Sequence, residues 1–217
     1  MKRPIEPTLP FHVKRSDPRA LVAEAAGVLE LRLAGPQVDS LLAFEELLRS
    51  RAVALGLIAE GDRDRILVRH VLDSLRAATA LLDRDGESYD LGSGAGLPGI
   101  PVAIACPGLV VVLVESRRKR AAFLELAVDE LGLRNAQVRW SRVQEQSDPV
   151  DMCFARAFAP LGRTWKAAEP LLVPGGRLVH FVGSQESEIP DLPGASAVEL
   201  RHVPLLDSGG PLAIITR

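Results

Sequence analysis

The run Asp90-Leu91-Gly92-Ser93-Gly94-Ala95-Gly96-Leu97-Pro98-Gly99 constrains this chain more than any other segment. It follows a short β-prone stretch and precedes a helix-length apolar one, so it marks a strand–turn–helix junction. Glycine has no Cβ, which lets the backbone turn tightly and lets a ligand lie close against the main chain. Such a turn at the carboxyl end of a strand is where α/β folds hold nucleoside ligands.

From Tyr89 onward, β-prone runs alternate with helix-length segments, which predicts βαβ units around a mainly parallel sheet. Candidate strands are 87–92, 109–115, 137–142, 151–157 and 177–182, with helices filling the gaps between them. Two further strands, 198–205 and 211–216, are predicted to close the sheet as an antiparallel hairpin around Ser208-Gly209-Gly210. The clearest helix carries Leu124, Ala127, Val128 and Leu131 on one stripe ahead of Gly132. Residues 187–195, rich in proline and glycine, read as a loop.

Upstream of the sheet the pattern is helical. Asp17-Pro18 is a plausible cap and first turn, with Leu21, Ala25, Val28 and Leu29 at helical spacing behind it. A second helix is expected after Pro36, and a third from near Asp62 with Leu67, Val71, Leu75, Ala78 and Leu82 on one face. The 217 residues thus divide into a flexible arm (1–17), a helical extension (18–84) and an α/β domain (85–217).

Composition narrows the functional classes. The longest strongly apolar run, 109–114, is far shorter than the roughly 20 residues of a membrane span, and the basic, proline-containing start lacks a secretory core. Cys106 and Cys153 sit in apolar stretches, which predicts buried, inert thiols in a reducing cytoplasm. His12, His70, His180 and His202 are scattered without ligand spacing, so no metal is expected. A net charge of −2 provides no global attraction to nucleic acid, which leaves any such binding to a local basic patch.

Gly94, Gly96 and Gly99 satisfy the spacing of dinucleotide sites, which leaves a nicotinamide cofactor and S-adenosylmethionine both open. Two features favour the latter. Asp90, two residues before Gly92, completes D-x-G-x-G-x-G, which resembles motif I of Rossmann-like methyltransferases. The remaining chain also has little room for a hydride-acceptor domain. Glu115, at the end of the second strand, can accept hydrogen bonds from both ribose hydroxyls of an adenosine and suits either cofactor.

Beyond the loop, the segments RHVLDSL (69–75), DLGSGAGLPGIPVA (90–103), ESRRKRAAFLE (115–125), SRVQE (141–145) and ARAFAPL (155–161) occur in a telling order. Together they resemble the ribosomal RNA small-subunit methyltransferase G family, also called glucose-inhibited division protein B, most strongly over 69–172. The resemblance implies a class I methyltransferase fold with a seven-stranded sheet and preceding helices. It also implies S-adenosylmethionine as cofactor and, as substrate, N7 of a guanine (position 527) in the 530 loop of 16S ribosomal RNA or the small subunit that contains it. Carried over residue by residue, the cofactor positions are Gly92, Leu97, Val143, Gln144 and Arg156, with Glu115 matching the family's strand-end acid. The chain departs from the family at Gln144, where a glutamate is usual, and at Val182-Gly183, where a lysine precedes the glycine. The family's tryptophan-asparagine-leucine signature is absent around 53–57.

Guanine N7 carries a lone pair and no proton, so its methylation requires positioning and no general base. Arg156 is the best candidate for orienting substrate or cofactor, a strand-end salt bridge being its alternative role. His70 and Asp73, one helical turn apart, are expected either to cap the pocket or to pair with each other. Arg117, Arg118, Lys119 and Arg120 crowd a helix start, where the dipole favours negative charge, and a polyanionic RNA would account for them. The competing readings are a non-catalytic RNA-binding assembly factor, a small-molecule methyltransferase and, third, a nicotinamide-dependent oxidoreductase.

Overall fold

The computed structural model describes residues 17–81, 86–183, 188–203 and 210–217. Its sheet has the order β3-β2-β1-β4-β5-β7-β6, with β1 Gly86–Leu91, β2 Leu109–Glu115, β3 Ala136–Trp140, β4 Val150–Arg156, β5 Leu172–Phe181, β6 Ala197–Arg201 and β7 Leu212–Thr216. β1 to β5 pair in parallel, and β7 inserts antiparallel between β5 and β6. The expected closing hairpin is therefore present, although its turn, 204–209, lies outside the described residues and β6 stops at Arg201 rather than 205. Strand order reverses between β1 and β4, which opens a crevice at their carboxyl ends.

Helices α3 (Gly99–Ala105), α4 (Arg118–Glu130) and α5 (Leu161–Ala168) make three of the crossovers. The expectation that helices fill the gaps between the parallel strands fails once, whereas the loop expected at 187–195 is present in its described part, 188–195. Between β3 and β4 only a single 3₁₀ turn, Val143–Glu145, forms, because 141–149 supplies one buried apolar side chain, Val143, and no helix face can be made from it. After β5 the described residues contain no helix before β6, as Pro190 and Pro193 predict.

In the extension, α1 (Pro18–Val28) is capped by Asp17, whose carboxylate accepts from the Arg19 amide at 2.9 Å, and α2 (Gly35–Leu47) follows. The third helix differs from its expected form. It runs as 3₁₀ (Glu60–Arg65), π (Leu67–Leu72) and 3₁₀ (Leu75–Ala80) segments. Its apolar positions Leu67, Val71 and Leu75 repeat every four residues. In an α-helix that spacing drifts by roughly 40° per step, and a wider turn brings the stripe back into line. Of the expected arm, 1–17, only Asp17 is described, and Leu82 and both residues of the expected boundary at 84–85 lie outside the described residues.

The two sheet faces are covered unequally. Val111, Leu113, Met152, Phe154, Val179 and Ile214 pack in one continuous core with Val22, Phe44, Leu72, Ile100 and Leu124 from the extension, α3 and α4. On the opposite face Tyr89, Val112, Cys153 and Leu178 pack chiefly against Leu161 and Trp165 of α5. Cys153 is buried as expected, whereas Cys106, just after α3, is only partly buried; burial raises both thiol pKa values, that of Cys106 to about 11. No helix among the described residues is long and apolar enough to cross a membrane.

Since extension and sheet share one core, they should unfold together. Phe44→Ala, which empties a fully buried site in α2, should cost about 3–5 kcal/mol. It should leave a single urea transition by circular dichroism and by tryptophan fluorescence; two separated transitions would show an independently folding extension.

Candidate active site

The crevice is built where β1 ends. Gly92 and Ser93 donate backbone hydrogen bonds to Val114 O at 2.9 and 3.1 Å, so the glycine loop is pinned to β2 before it turns into α3. Gly92, Gly94 and Gly96 all have positive φ. At Gly94, φ is +58° and a Cβ would meet only Gly92 O at 3.7 Å and the Arg120 guanidinium at 3.9 Å. The main chain there is an open cradle. Gly99 answers a different demand, since a Cβ would lie 2.4 Å from Leu113 Cδ2 and 2.5 Å from Asp90 Oδ2.

Asp90 is buried beneath this turn, where its Oδ2 accepts from the Gly99 amide at 3.1 Å. Burial pushes its pKa up to about 7, against the lowering effects of Ser93 and the Gly99 amide; Glu115 adds a further upward push. Glu115, also buried, closes the other side: its Oε2 accepts from Gly94 N at 3.1 Å and its Oε1 from Arg117 N at 2.8 Å. The carboxylate thus links the loop to the entry of α4, and each oxygen retains a lone pair for a ribose hydroxyl. Asp90, Gly92, Gly94, Gly96 and Leu97 run from the end of β1 into the loop, and Glu115 is hydrogen-bonded to that loop through Gly94. Val143 and Gln144 follow β3, the next strand over, with Val143 buried and Gln144 exposed.

Across the switch point, β4 delivers Arg156. Its Nη2 lies 3.1 Å from Asp73 Oδ2 and 3.0 Å from Arg69 O, and its Nη1 donates to Ser74 Oγ at 3.2 Å and His70 O at 3.3 Å. The 69–75 and 155–161 segments, distant in sequence, meet here through one guanidinium. Asp73 is shared: its Oδ1 accepts from Arg76 Nη1 at 2.8 Å, while Arg76 Nη2 donates to Gly210 O at 2.7 Å. Arg156 and Arg76 also lie over the ring of Phe181, at 5.4 and 5.8 Å from its centroid.

His70 and Asp73 therefore do not pair with each other. His70 faces Asp62 at 3.3 Å, and burial, then the charge of Arg156, holds its pKa below the usual imidazole range. Arg76 is buried and was missed by sequence reasoning, because it falls one residue after Leu75, off the apolar stripe, where a charged side chain is expected to face solvent. Phe158 was missed too, and it packs so closely on the loop that a Cβ at Gly92 would lie 2.6 Å from its ring.

Arg156, Arg65, Arg69, His180, Val182 and Gly183 are among the walls of a cleft of about 390 Å³ at the ends of β4 and β5. The helical extension forms its rim. The site thus offers a backbone cradle and paired carboxylates beside an arginine-lined cleft.

The profile of the rRNA small subunit methyltransferase G family matches residues 37–202. The chain belongs to this family. It is 40% identical over 194 residues to "Ribosomal RNA small subunit methyltransferase G" of Ralstonia nicotianae, covering 85% of this chain and 87% of that protein. The Stenotrophomonas maltophilia protein of the same description is 42% identical over 182 residues, covering 80% and 84%. Among solved structures, a putative S-adenosylmethionine-dependent methyltransferase from Methanococcus maripaludis superimposes with a TM-score of 0.55 at 14% identity, covering 76% of this chain and 89% of that one. A putative methyltransferase from Escherichia coli gives 0.53 at 18%, covering 68% and 85%. These distant likenesses establish the class I methyltransferase fold. The family is one of S-adenosylmethionine-dependent methyltransferases, and the open cradle at Gly94 beside the Glu115 carboxylate fits that cofactor.

Removing the shared carboxylate should reveal how much this arrangement depends on it. Asp73→Asn leaves two largely buried guanidiniums facing a neutral amide, so it should lower stability by about 3–5 kcal/mol in urea titration. A change below about 1 kcal/mol would mean that Arg76 and Arg156 find other partners.

Proposed function

We propose that this family member methylates N7 of the guanine at position 527, in the 530 loop of 16S ribosomal RNA, with the small subunit or its RNA as substrate. The observation that carries the reading is the juxtaposition of the Gly94–Glu115 cradle with an arginine-lined cleft, in a chain of this family. S-adenosylmethionine supplies an electrophilic methyl on a sulfonium, which becomes a neutral thioether when the carbon–sulfur bond breaks. Everything else falls to the protein.

Asp90, Gly92, Gly94, Gly96, Leu97, Glu115, Val143 and Gln144 hold the cofactor across the strand ends. Arg156 stands at the cleft and orients the incoming base. The guanine N7 lone pair forms the new bond, no proton leaves, and the positive charge passes from sulfur to the purine ring. An uncompensated guanidinium beside that ring would oppose the transfer. Asp73 offsets part of it, because its carboxylate is shared between Arg156 and Arg76. His70, held neutral by burial and by Arg156, adds no charge at neutral pH.

Arg117, Arg118 and Lys119 are exposed, and none of them forms an ion pair among the described residues; Arg120 lies 3.9 Å from Glu115. The first three contact phosphates, and Arg120 remains partly committed to the cofactor acid.

Two measurements test the proposal. Single-turnover methyl transfer should be nearly flat above neutral pH, with the methyl group mapped to that guanine; transfer to another RNA or to a small molecule would refute the substrate. Neutralising Arg117, Arg118 and Lys119 should flatten the log–log salt dependence of RNA binding by about 0.7–0.9 for each phosphate that is no longer neutralised. An unchanged slope would make the cluster a solvated surface.

A further inference from the structure

Trp140 ends the edge strand β3, and at 59% exposure it is the most exposed large hydrophobic side chain among the described residues. Its ring is held in place: Nε1 donates to Ser116 O at 3.1 Å, and the Arg118 guanidinium lies over it at 5.7 Å from the centroid. Arg117, Lys119 and Arg142 are exposed nearby in the chain, and like Arg118 they form no ion pair among the described residues. An aromatic face set among uncompensated cations is the composition of a single-stranded nucleic-acid surface, where bases stack and phosphates meet the charges.

A protein partner would call for a different surface. Protein interfaces have contiguous apolar cores, whereas the other exposed large hydrophobics are Val28, Ile189, Val198 and Leu200. Val198 and Leu200 lie on β6, at the opposite edge of the sheet from β3. Trp140 has no apolar neighbour of that kind among the described residues. The preset orientation of the indole also reduces the entropy lost when a base is stacked on it.

We propose that the Trp140–Arg118 pair is a stacking platform for an unpaired base of the RNA, flanking the methylated nucleotide rather than receiving it. The inference rests on the reading of this chain as an RNA methyltransferase and adds a second point of RNA engagement, on the β3 side of the cofactor loop. Arg118 shields one side of the indole and contributes charge, and the base takes the remaining exposed face.

The chain has two tryptophans, and Trp165 is 2% exposed, so quenching of intrinsic fluorescence by an added ligand reports on Trp140. A short single-stranded oligoadenylate should quench the full-length protein, and inorganic polyphosphate of matched charge should not. Trp140→Ala should weaken oligoadenylate binding about tenfold, the reduction expected for one base stack. Trp140→Phe should restore most of the affinity, and Arg118→Ala should give an intermediate reduction. Both positions are exposed, and unchanged circular dichroism and thermal melting will confirm folding. Equal quenching by polyphosphate, or unchanged affinity in Trp140→Ala, would overturn the platform. Quenching by S-adenosylmethionine alone, or by an acidic peptide in place of RNA, would overturn it too, by assigning the ring to the cofactor or to a protein. Methyl transfer by the wild-type protein to small-subunit RNA is measured in parallel. Absence of transfer refutes the methyltransferase reading whatever Trp140 does, whereas transfer without quenching by oligoadenylate refutes the platform alone.

Discussion

The carboxylate of Asp73, divided between Arg76 and Arg156, joins the helical extension to the end of the sheet. Arg156 arrives on β4, and Asp73 and Arg76 arrive on the last helical segments before β1. Two guanidiniums and one carboxylate leave a net positive charge largely removed from water, offset by hydrogen bonds from both Nη atoms of each arginine, while Arg76 Nε is buried without a partner among the described residues. Arg76 reaches Gly210 O, Arg156 reaches Arg69 O, His70 O and Ser74 Oγ, and both cations lie over Phe181. Those acceptors are fixed points on separate stretches of chain. Moving any one of them would strand a buried charge, so the cluster sets the position of the extension over the cleft more sharply than apolar packing alone can.

On the other side of the switch point, Glu115 has the equivalent role with backbone partners. It accepts from Gly94 and from Arg117, tying the loop after β1 to the turn after β2. Asp90 completes the frame from below through the Gly99 amide. The cofactor cradle is therefore shaped by two buried acids, while the cleft is shaped by buried arginines around one acid. This asymmetry suits a sulfonium with a polar tail on one side and a polyanion on the other.

What the sequence made legible follows from how local each constraint is. The glycine loop, Glu115 and the strands flanking them could be read because strand–turn–helix geometry demands small residues at Gly94 and Gly99 and a polar strand end at Glu115. The stripe of α4 was legible for the same reason, and family motifs pointed to Arg156. The third helix was not, since its four-residue apolar spacing is compatible with an α-helix until packing against the sheet forces the π and 3₁₀ segments. The gap between β3 and β4 was misread because a crossover was expected to need a helix, whereas one buried valine and a turn suffice there. Of the two roles open to His70 and Asp73, mutual pairing fails for a tertiary reason: adjacency on a helix nominates a pair, but Asp62, Arg76 and Arg156 are nearer once the chain folds, and Asp73 lines the cleft instead. Residues 1–16 and 204–209, where an arm and a hairpin turn were expected, lie outside the described structure.

The chemistry asks little of any single side chain and much of the frame. In the reaction proposed above, methyl transfer from a sulfonium to guanine N7 moves one positive charge without creating or destroying it, so neither a general base nor an oxyanion-type site is called for. What remains is alignment, and effective molarity falls steeply with small displacements. A loop pinned by Val114 O, Glu115 and Asp90 on one side, and a guanidinium pinned by Asp73 and three further acceptors on the other, meet that requirement with buried contacts instead of mobile ones. The overall charge of −2 fits the same restraint on attraction: a globally basic protein would bind RNA anywhere, whereas here Arg117, Arg118 and Lys119 are exposed cations confined to one local patch.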